Sequence, residues 1–207
     1  MRRLIAGFDV LLRRLYGVFE FDSSDDCLFR LQWRRAHAPV VLSDGVWLNP
    51  GDCFLELHLW NEHVPPLPRQ GADLAWGQEA GRRLRRSLSA LAEFLANEGS
   101  SAKALHAASV LTESDRSVSP PAIMIRLGFE PGPYRNPLGP VGVLAVNFYS
   151  YLLMRAFNPP SLRGRLPWHL RRQELWMSRQ RFLALHGRFC QSNAGLTGAS
   201  CAGSIMT

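Results

Sequence analysis

Residues 51–66 read "GDCFLELHLWNEHVPP", and the fold turns on how residues 53–60 of that stretch are taken. In an extended strand alternate residues share a face. Phe54, Glu56, His58 and Trp60 then point one way, and Cys53, Leu55, Leu57, Leu59 and Asn61 point the other. The leucines mark the core face. Glu56 and His58 are left side by side on the opposite face, bracketed by Phe54 and Trp60.

Working outward, residues 27–35, "CLFRLQWRR", alternate in the same way. Phe29, Leu31 and Trp33 take one face, and Arg30, Gln32 and Arg34 the other, as in a half-buried strand. Between the two strands, Asp44-Gly45 sits between short apolar pieces and signals a hairpin, because both residues tolerate positive φ. Residues 28–61 therefore predict an antiparallel meander of three or four strands. After the Pro-rich "VPPLPRQG", a long helix is expected from Leu74 to Asn97. Its inner stripe is Leu74, Gly77, Gly81, Leu84, Leu88, Leu91 and Leu95. The "RRLRR" of residues 82–86 reads as a solvated face.

Residues 102–112 read as a second, shorter helix, and "AIMIRLGF" as a last strand or an apolar turn. Residues 141–157, "VGVLAVNFYSYLLMRAF", suit a buried helix whose unbroken apolar part is too short to span a bilayer. A final helix is expected from Trp168 to about His186. From Gly187 the chain is rich in Gly, Ser and Ala and reads as a mobile tail. The fold class expected is α+β: a small antiparallel meander packed on several helices, in one domain over residues 1–186, with a tail over 187–207.

The chain has 207 residues, a formal net charge of +7 and 46% hydrophobic residues. That length buries a core of its own. Lys103 is the only lysine, so the positive charge is carried by arginine. GC-rich codon usage accounts for such a skew, but the charge still favours anionic partners. Nucleic-acid motifs are absent, so no specific nucleic-acid partner is expected. Cys27, Cys53, Cys190 and Cys201 form no CxxC pair, which argues against a zinc finger or disulfide scaffold and suits a reducing, cytoplasmic compartment.

The N-terminal "MRRLIAGFDVLLRRLYG" starts like a signal peptide, but Asp9, Arg13 and Arg14 interrupt the apolar run. Leu4, Ile5, Phe8, Leu11, Leu12, Leu15, Tyr16 and Phe19 recur at helical spacing over residues 2–19. Packing inward explains that stripe. A basic amphipathic helix lying at a membrane interface is the sharper reading. Arg2, Arg3, Arg13, Arg14, Arg171 and Arg172, near Phe8, Leu12, Trp168 and Trp176, are the candidate contacts to an anionic surface.

Glu56 and His58 are the candidate acid–base pair, since a carboxylate orients an imidazole and raises its pKa. Asp44, Glu56, His58, Trp60 and Asn61 are the candidate ligand-binding residues. His58, Glu62 and His63 lack the convergence a metal needs. The "PGDCFLELHLWN" stretch is loosely like the second metal motif of cupins, but the spacing departs from it and no HxH…E segment precedes it. His37, His106, His169 and His186 are isolated. No GxSxG elbow, Walker loop or GxGxxG occurs. No metal and no cofactor is expected.

One ordered set of segments remains. "VVLSDGVWLNPGDCFLELHLWN" precedes the Leu-striped "RRLRRSLSALAEFLA", then "KALHAASVL", "RLGFE" and "NFYSYLLMRAFNP". This order resembles the bacterial YkoP-like family over about residues 4–160. The matching positions are Asp44, Gly45, Gly51, Asp52, Glu56, His58 and Asn61, and the family brings no catalytic role to any of them. Some members are associated with polysaccharide deacetylases. The resemblance thus implies an accessory or binding protein at the cytoplasmic membrane face, serving envelope lipid or polysaccharide metabolism. Its expected partners are an anionic lipid or glycan-related ligand and an envelope-biosynthesis enzyme. The alternative is a small hydrolase or transferase using Glu56 and His58.

Overall fold

The computed structural model describes residues 2–112, 122–134, 136, 138–162 and 166–187. Strand β5 (Cys53–Leu59) lies in the middle of the molecule, paired along its length with β2 (Phe29–Arg35). Beyond β2 lies the short β1 (Val18–Phe19). On the other side follow β6 (Ala104–Thr112), β8 (Leu170–Ser178) and β7 (Glu130–Gly132). The sheet order is β1-β2-β5-β6-β8-β7. All neighbours are antiparallel except β5 and β6. A parallel pair needs a crossover, and helix α2 (Leu74–Ala96) supplies it.

The class is α+β, as expected, but the sheet is six-stranded and mixed rather than a small meander. The Asp44-Gly45 turn forms, with Gly45 at φ +85°. Its strands β3 (Val40–Val41) and β4 (Trp47–Leu48) make a separate two-stranded sheet, so β2 passes directly to β5. Residues 104–112, read as helix, are β6. Their Ala- and Leu-rich composition favours a helix locally, but hydrogen bonding to β5 and β8 on both edges prevails. The expected last helix is likewise β8 followed by a short α5 (Arg179–His186). Ser178 ends the strand and caps α5, accepting from Arg181 N at 3.0 Å. "AIMIR" is the short helix α3 (Ala122–Arg126).

One face of the sheet carries the core. Leu31, Leu55, Leu57, Leu105, Leu175 and Met177 pack against Leu88, Leu91, Ala92 and Leu95 of α2 and Phe182 of α5. Leu59, expected among them, is 53% exposed: the core ends at Leu57, and the strand's last residue lies outside it. Leu74 is exposed too, so only the later turns of the α2 stripe reach the sheet. Asp73 caps α2, accepting from Trp76 N at 2.7 Å. Its arginines do more than face solvent: Arg82 and Arg86 meet Asp26 at 2.7 and 3.2 Å, and Arg83 meets Glu79 at 2.6 Å.

Helix α1 (Arg2–Tyr16) and helix α4 (Gly139–Phe157) lie together on the other side of the sheet. α1 stops at Gly17, whose φ of +68° suits glycine, and residues 18–19 turn into β1 instead of extending the helix. α4 is not the buried helix its composition suggests. Val141, Leu144 and Phe148 are each more than half exposed, while Asn147 is buried.

Candidate functional site

The face of the sheet turned away from α2 is polar. Strand alternation places Arg30, Gln32 and Arg34 of β2 there, with Glu56 and His58 of β5, His106 of β6, and Arg172, Glu174 and Trp176 of β8. The register joins them into one row. Gln32 pairs with Glu56, Glu56 with His106, His106 with Trp176, and Trp176 with Glu130.

Two structures wall this row. At one end the β3–β4 hairpin buries Leu42 and Leu48 against Phe54, Ala104 and Trp176. The Ser178 hydroxyl donates to Asp44, and Ser43 N donates to the Glu130 carboxylate at 3.0 Å, pinning the hairpin down. At the other end sit α1 and α4. Asp9 of α1 meets Arg13 at 2.8 Å and Arg30 at 3.8 Å and accepts from the Tyr149 hydroxyl of α4. Arg172 donates to Asn147 Oδ1 at 2.8 Å, to Val146 O at 2.9 Å and to the Ser150 hydroxyl. Asn147 donates in turn to Leu170 O at 2.8 Å.

Glu56 and His58 do share this face, but their closest contacts lie elsewhere. The ring Nε2 of His58 is 3.1 Å from Gln32 Oε1. Burial holds the His58 imidazole below its ordinary pKa, against the pull of Glu56. Glu56 stands between Arg34, at 3.5 Å, and His106, at 3.8 Å. His106 is the residue that sequence reasoning missed. It is buried between Glu56 and Glu174, with Glu174 Oε2 3.9 Å from Nε2. Its ring packs on Trp176, centroids 4.4 Å apart, and edge-on to Phe54. Reading residues 102–112 as helix hid it. The alternation Arg172/Glu174/Trp176 against Leu175/Met177 was the available sign that residues 170–178 are a strand.

The other candidate ligand residues fall outside this row. Asp44 anchors the hairpin. Trp60 is buried, stacked on His63 at 3.7 Å and covered by the Arg30 guanidinium at 3.9 Å. Asn61 donates to Leu59 O at 3.4 Å beside it. Among the described residues no group of three His, Cys, Asp or Glu is placed to hold a metal ion, and Cys27 and Cys53 are free thiols. Cys190 and Cys201 lie outside the described residues.

A second surface lies on the outer sides of α1 and α4. On α1, Phe8, Leu11 and Leu15 are 51–74% exposed at helical spacing. At the N-cap of α4 and along the helix, Leu138, Val141, Leu144 and Phe148 are 53–76% exposed. Phe8 meets Tyr149 edge-on at 6.2 Å, joining the two helices, and the exposed Trp168 lies in the turn that packs on α4. Arg14, Arg155 and Arg171 are exposed on the same elements or next to them. Arg13 and Arg172, candidates for an anionic surface, are engaged inside the protein as described, and Trp176 is buried. Arg2 and Arg3 belong to α1, and their side chains lie outside the described part. With 19 residues and a mean hydropathy of 1.2, α4 is long and apolar enough to cross a membrane, unlike the short buried helix expected.

No curated protein and no solved structure matches this chain. The YkoP domain family matches residues 1–186, and the chain therefore belongs to the YkoP family.

Proposed function

We propose that this domain is an accessory protein that docks peripherally on a membrane through α1 and α4, serving envelope lipid or polysaccharide chemistry at the cytoplasmic face. The observation that carries the reading is the pair of apolar stripes. A large exposed apolar patch on a folded domain marks an interaction surface. Here two adjoining helices each leave one, and Trp168 stands next to them. Both helices are tied to the sheet by a polar group on the inner side, Asp9 on α1 and Asn147 on α4. That favours α4 lying in the interface over spanning it, because spanning would pull Asn147 away from Leu170 and Arg172. Exposed arginines strengthen attraction to anionic headgroups by roughly 1 kcal/mol each near the surface.

Co-sedimentation with phosphatidylcholine vesicles, with and without phosphatidylglycerol, tests this at low and high salt. The expected result is binding to the anionic vesicles that weakens with salt and is lost in the Leu11→Glu/Phe148→Glu variant. Failure of the folded protein to bind either vesicle at low salt overturns it.

The acid–base reading of Glu56 and His58 draws no comparable support. His58 is hydrogen-bonded to Gln32, and the imidazole nearest Glu56 is that of His106.

A further inference from the structure

Where the β3–β4 hairpin, the start of β6 and the start of α5 meet, the surface opens into a pocket of about 460 Å³. That volume lies within the roughly 300–1,000 Å³ of small-molecule sites. Trp47 of β4 forms one wall. Ser100 and Ser101, in the loop after α2, form another, and Lys103, Arg179 and Gln180 complete it. No acidic residue lines it among the described residues, and none of its lining residues belongs to α1 or α4. What the pocket binds is therefore independent of membrane docking.

The walls are fixed before anything enters. The hairpin is pinned by Ser178 to Asp44, and Arg181 donates to the Ser43 hydroxyl at 3.2 Å. The serine loop closes tightly on α2: Gly99 N donates to Phe94 O at 2.8 Å, and Ala102 N to Gly99 O at 3.1 Å. A Cβ at Gly99 would stand 3.0 Å from the Phe94 ring and 3.1 Å from Leu95 Cα, so glycine is what permits this approach. Lys103 N donates to Cys53 O at 2.9 Å, and Lys103 O accepts from Arg179 N at 3.0 Å, which joins the two cationic residues through the backbone. A site formed in advance loses less freedom on binding.

Its donors are largely uncommitted. Arg179 Nε donates to Leu95 O at 2.9 Å, near the end of α2. That bond orients the guanidinium, and its two terminal nitrogens have no partner among the described residues. The same holds for the Trp47 indole N–H, the Ser100 and Ser101 hydroxyls and the Gln180 amide. Lys103 Nζ meets Asp52 Oδ2 at 2.7 Å. An ion pair this open to solvent contributes little, and the ammonium swings on a flexible stem with further donors to offer.

The donor set selects the ligand. One arginine fork satisfies the two oxygens of a carboxylate. Here a second cation and two hydroxyls stand with the fork. A phosphate monoester, with three terminal oxygens and about two negative charges, uses them together. Trp47 supplies the other half of the site. It is 59% exposed and stacks on no other ring among the described residues. An indole face open to a pocket takes a flat base or the C–H face of a sugar, and covering it removes apolar area from water.

We propose that this pocket binds a small phosphate monoester that also carries a ring, the phosphate held by Arg179 and Lys103 and the ring laid on Trp47. The ring is that of a sugar or of a nucleobase.

The test follows the Trp47 indole resonance by nitrogen–proton NMR, assigned with Trp47→Phe, during titration of the full chain. The probes are glucose 6-phosphate, uridine monophosphate, glucose, uridine and inorganic phosphate. At least one ring phosphate is expected to shift the signal saturably and to bind at least about tenfold more tightly than its dephosphorylated form and than inorganic phosphate. Whichever of the two does so supports the site and identifies the ring. Arg179→Gln and Lys103→Gln are each expected to weaken that binding by about tenfold, with thermal melting confirming the fold. Lys103→Gln leaves the Leu95 contact intact and decides the matter if Arg179→Gln does not fold. Arg85→Gln, on an exposed turn of α2, controls for net charge and is expected to leave binding unchanged. Equal loss in Arg85→Gln, or equal binding of inorganic phosphate and both ring phosphates, overturns the proposal. So does a Trp47 resonance that moves with no probe.

Discussion

The two faces of the sheet are covered in opposite ways. On the α2 face the attachment is apolar. Leu31, Leu55, Leu91, Leu105, Leu175 and Met177 are fully buried, and burying a leucine is worth about 1.5–3 kcal/mol. On the other face the covering helices are tied by directional polar contacts: Asp9 to Tyr149 and Arg30, and Arg172 to Asn147 and Ser150. A helix fixed through an inward polar group leaves apolar residues outward, and α1 and α4 do this. Burial holds the first face shut and leaves little for a ligand to recognise. The second face is held by a few bonds, and it keeps a buried histidine 3.8 and 3.9 Å from two carboxylates. Stability and recognition are thus assigned to opposite sides of one sheet.

If that division holds, the largest effects on stability come from the α2 face. Leu91→Ala should cost about 2–5 kcal/mol, the usual range for a buried leucine truncated to alanine. Urea denaturation should show this as a lower midpoint, with the vesicle assay unchanged under native conditions. A cost below about 1 kcal/mol would mean that α2 is not the main cover of the core.

Arg172→Met should cost less, about 1.5–3 kcal/mol, the range for hydrogen bonds made by a charged group. It removes the donor from Asn147, Val146 and Ser150 together. Its effect should also be local: hydrogen exchange should accelerate in α4 ahead of α2. Uniform acceleration across both helices would show that the two covers unfold as one unit and break the comparison.

How far this arrangement is legible in the sequence depends on contrast between neighbours. Residues 53–59 alternate leucine with charged or aromatic residues, so strand and face were both readable. Asp44-Gly45 named its hairpin, and the α2 stripe named its helix. Residues 104–112 offered mostly alanine, leucine and serine around one histidine, with the β-branched Val110 and Thr112 only at the end, and local propensity favoured the wrong element. The site suffered most from that error, because His106 lies on that strand. Residues 170–178 did alternate, yet Trp168 and Trp176 can also be drawn onto one side of a helix, and the two patterns competed. α4 is apolar nearly all round, so nothing in its pattern shows which side turns to the sheet. Asn147 settles it only once Arg172 is known to lie opposite. The excursion of β3 and β4 away from the main sheet is a tertiary fact with no local sign.

The smallest expected effect is the pH response of the polar face. Burial, above all, holds the His58 and His106 imidazoles below the ordinary imidazole value of 6.5. A base with a lowered folded-state pKa binds its proton more readily when unfolded. Stability is therefore full above pH 6.5 and falls as the pH drops below it, until the folded-state pKa values are reached. Each histidine can contribute at most about 1.4 kcal/mol per pH unit within that window. The α2 side responds in a more acidic range. Glu79, held down to about 2 by Arg82 and Arg83, and Asp26, lowered by Arg82, lose their contribution only as the pH falls below the ordinary carboxylate range. Urea midpoints measured from about pH 8 down to about pH 5 should thus decline in the wild type and decline less in His58→Gln and in His106→Gln. Leu91→Ala should shift the whole curve down without changing its shape. A slope unaltered in both histidine variants would show that the buried imidazoles are not what the polar face loses on acidification.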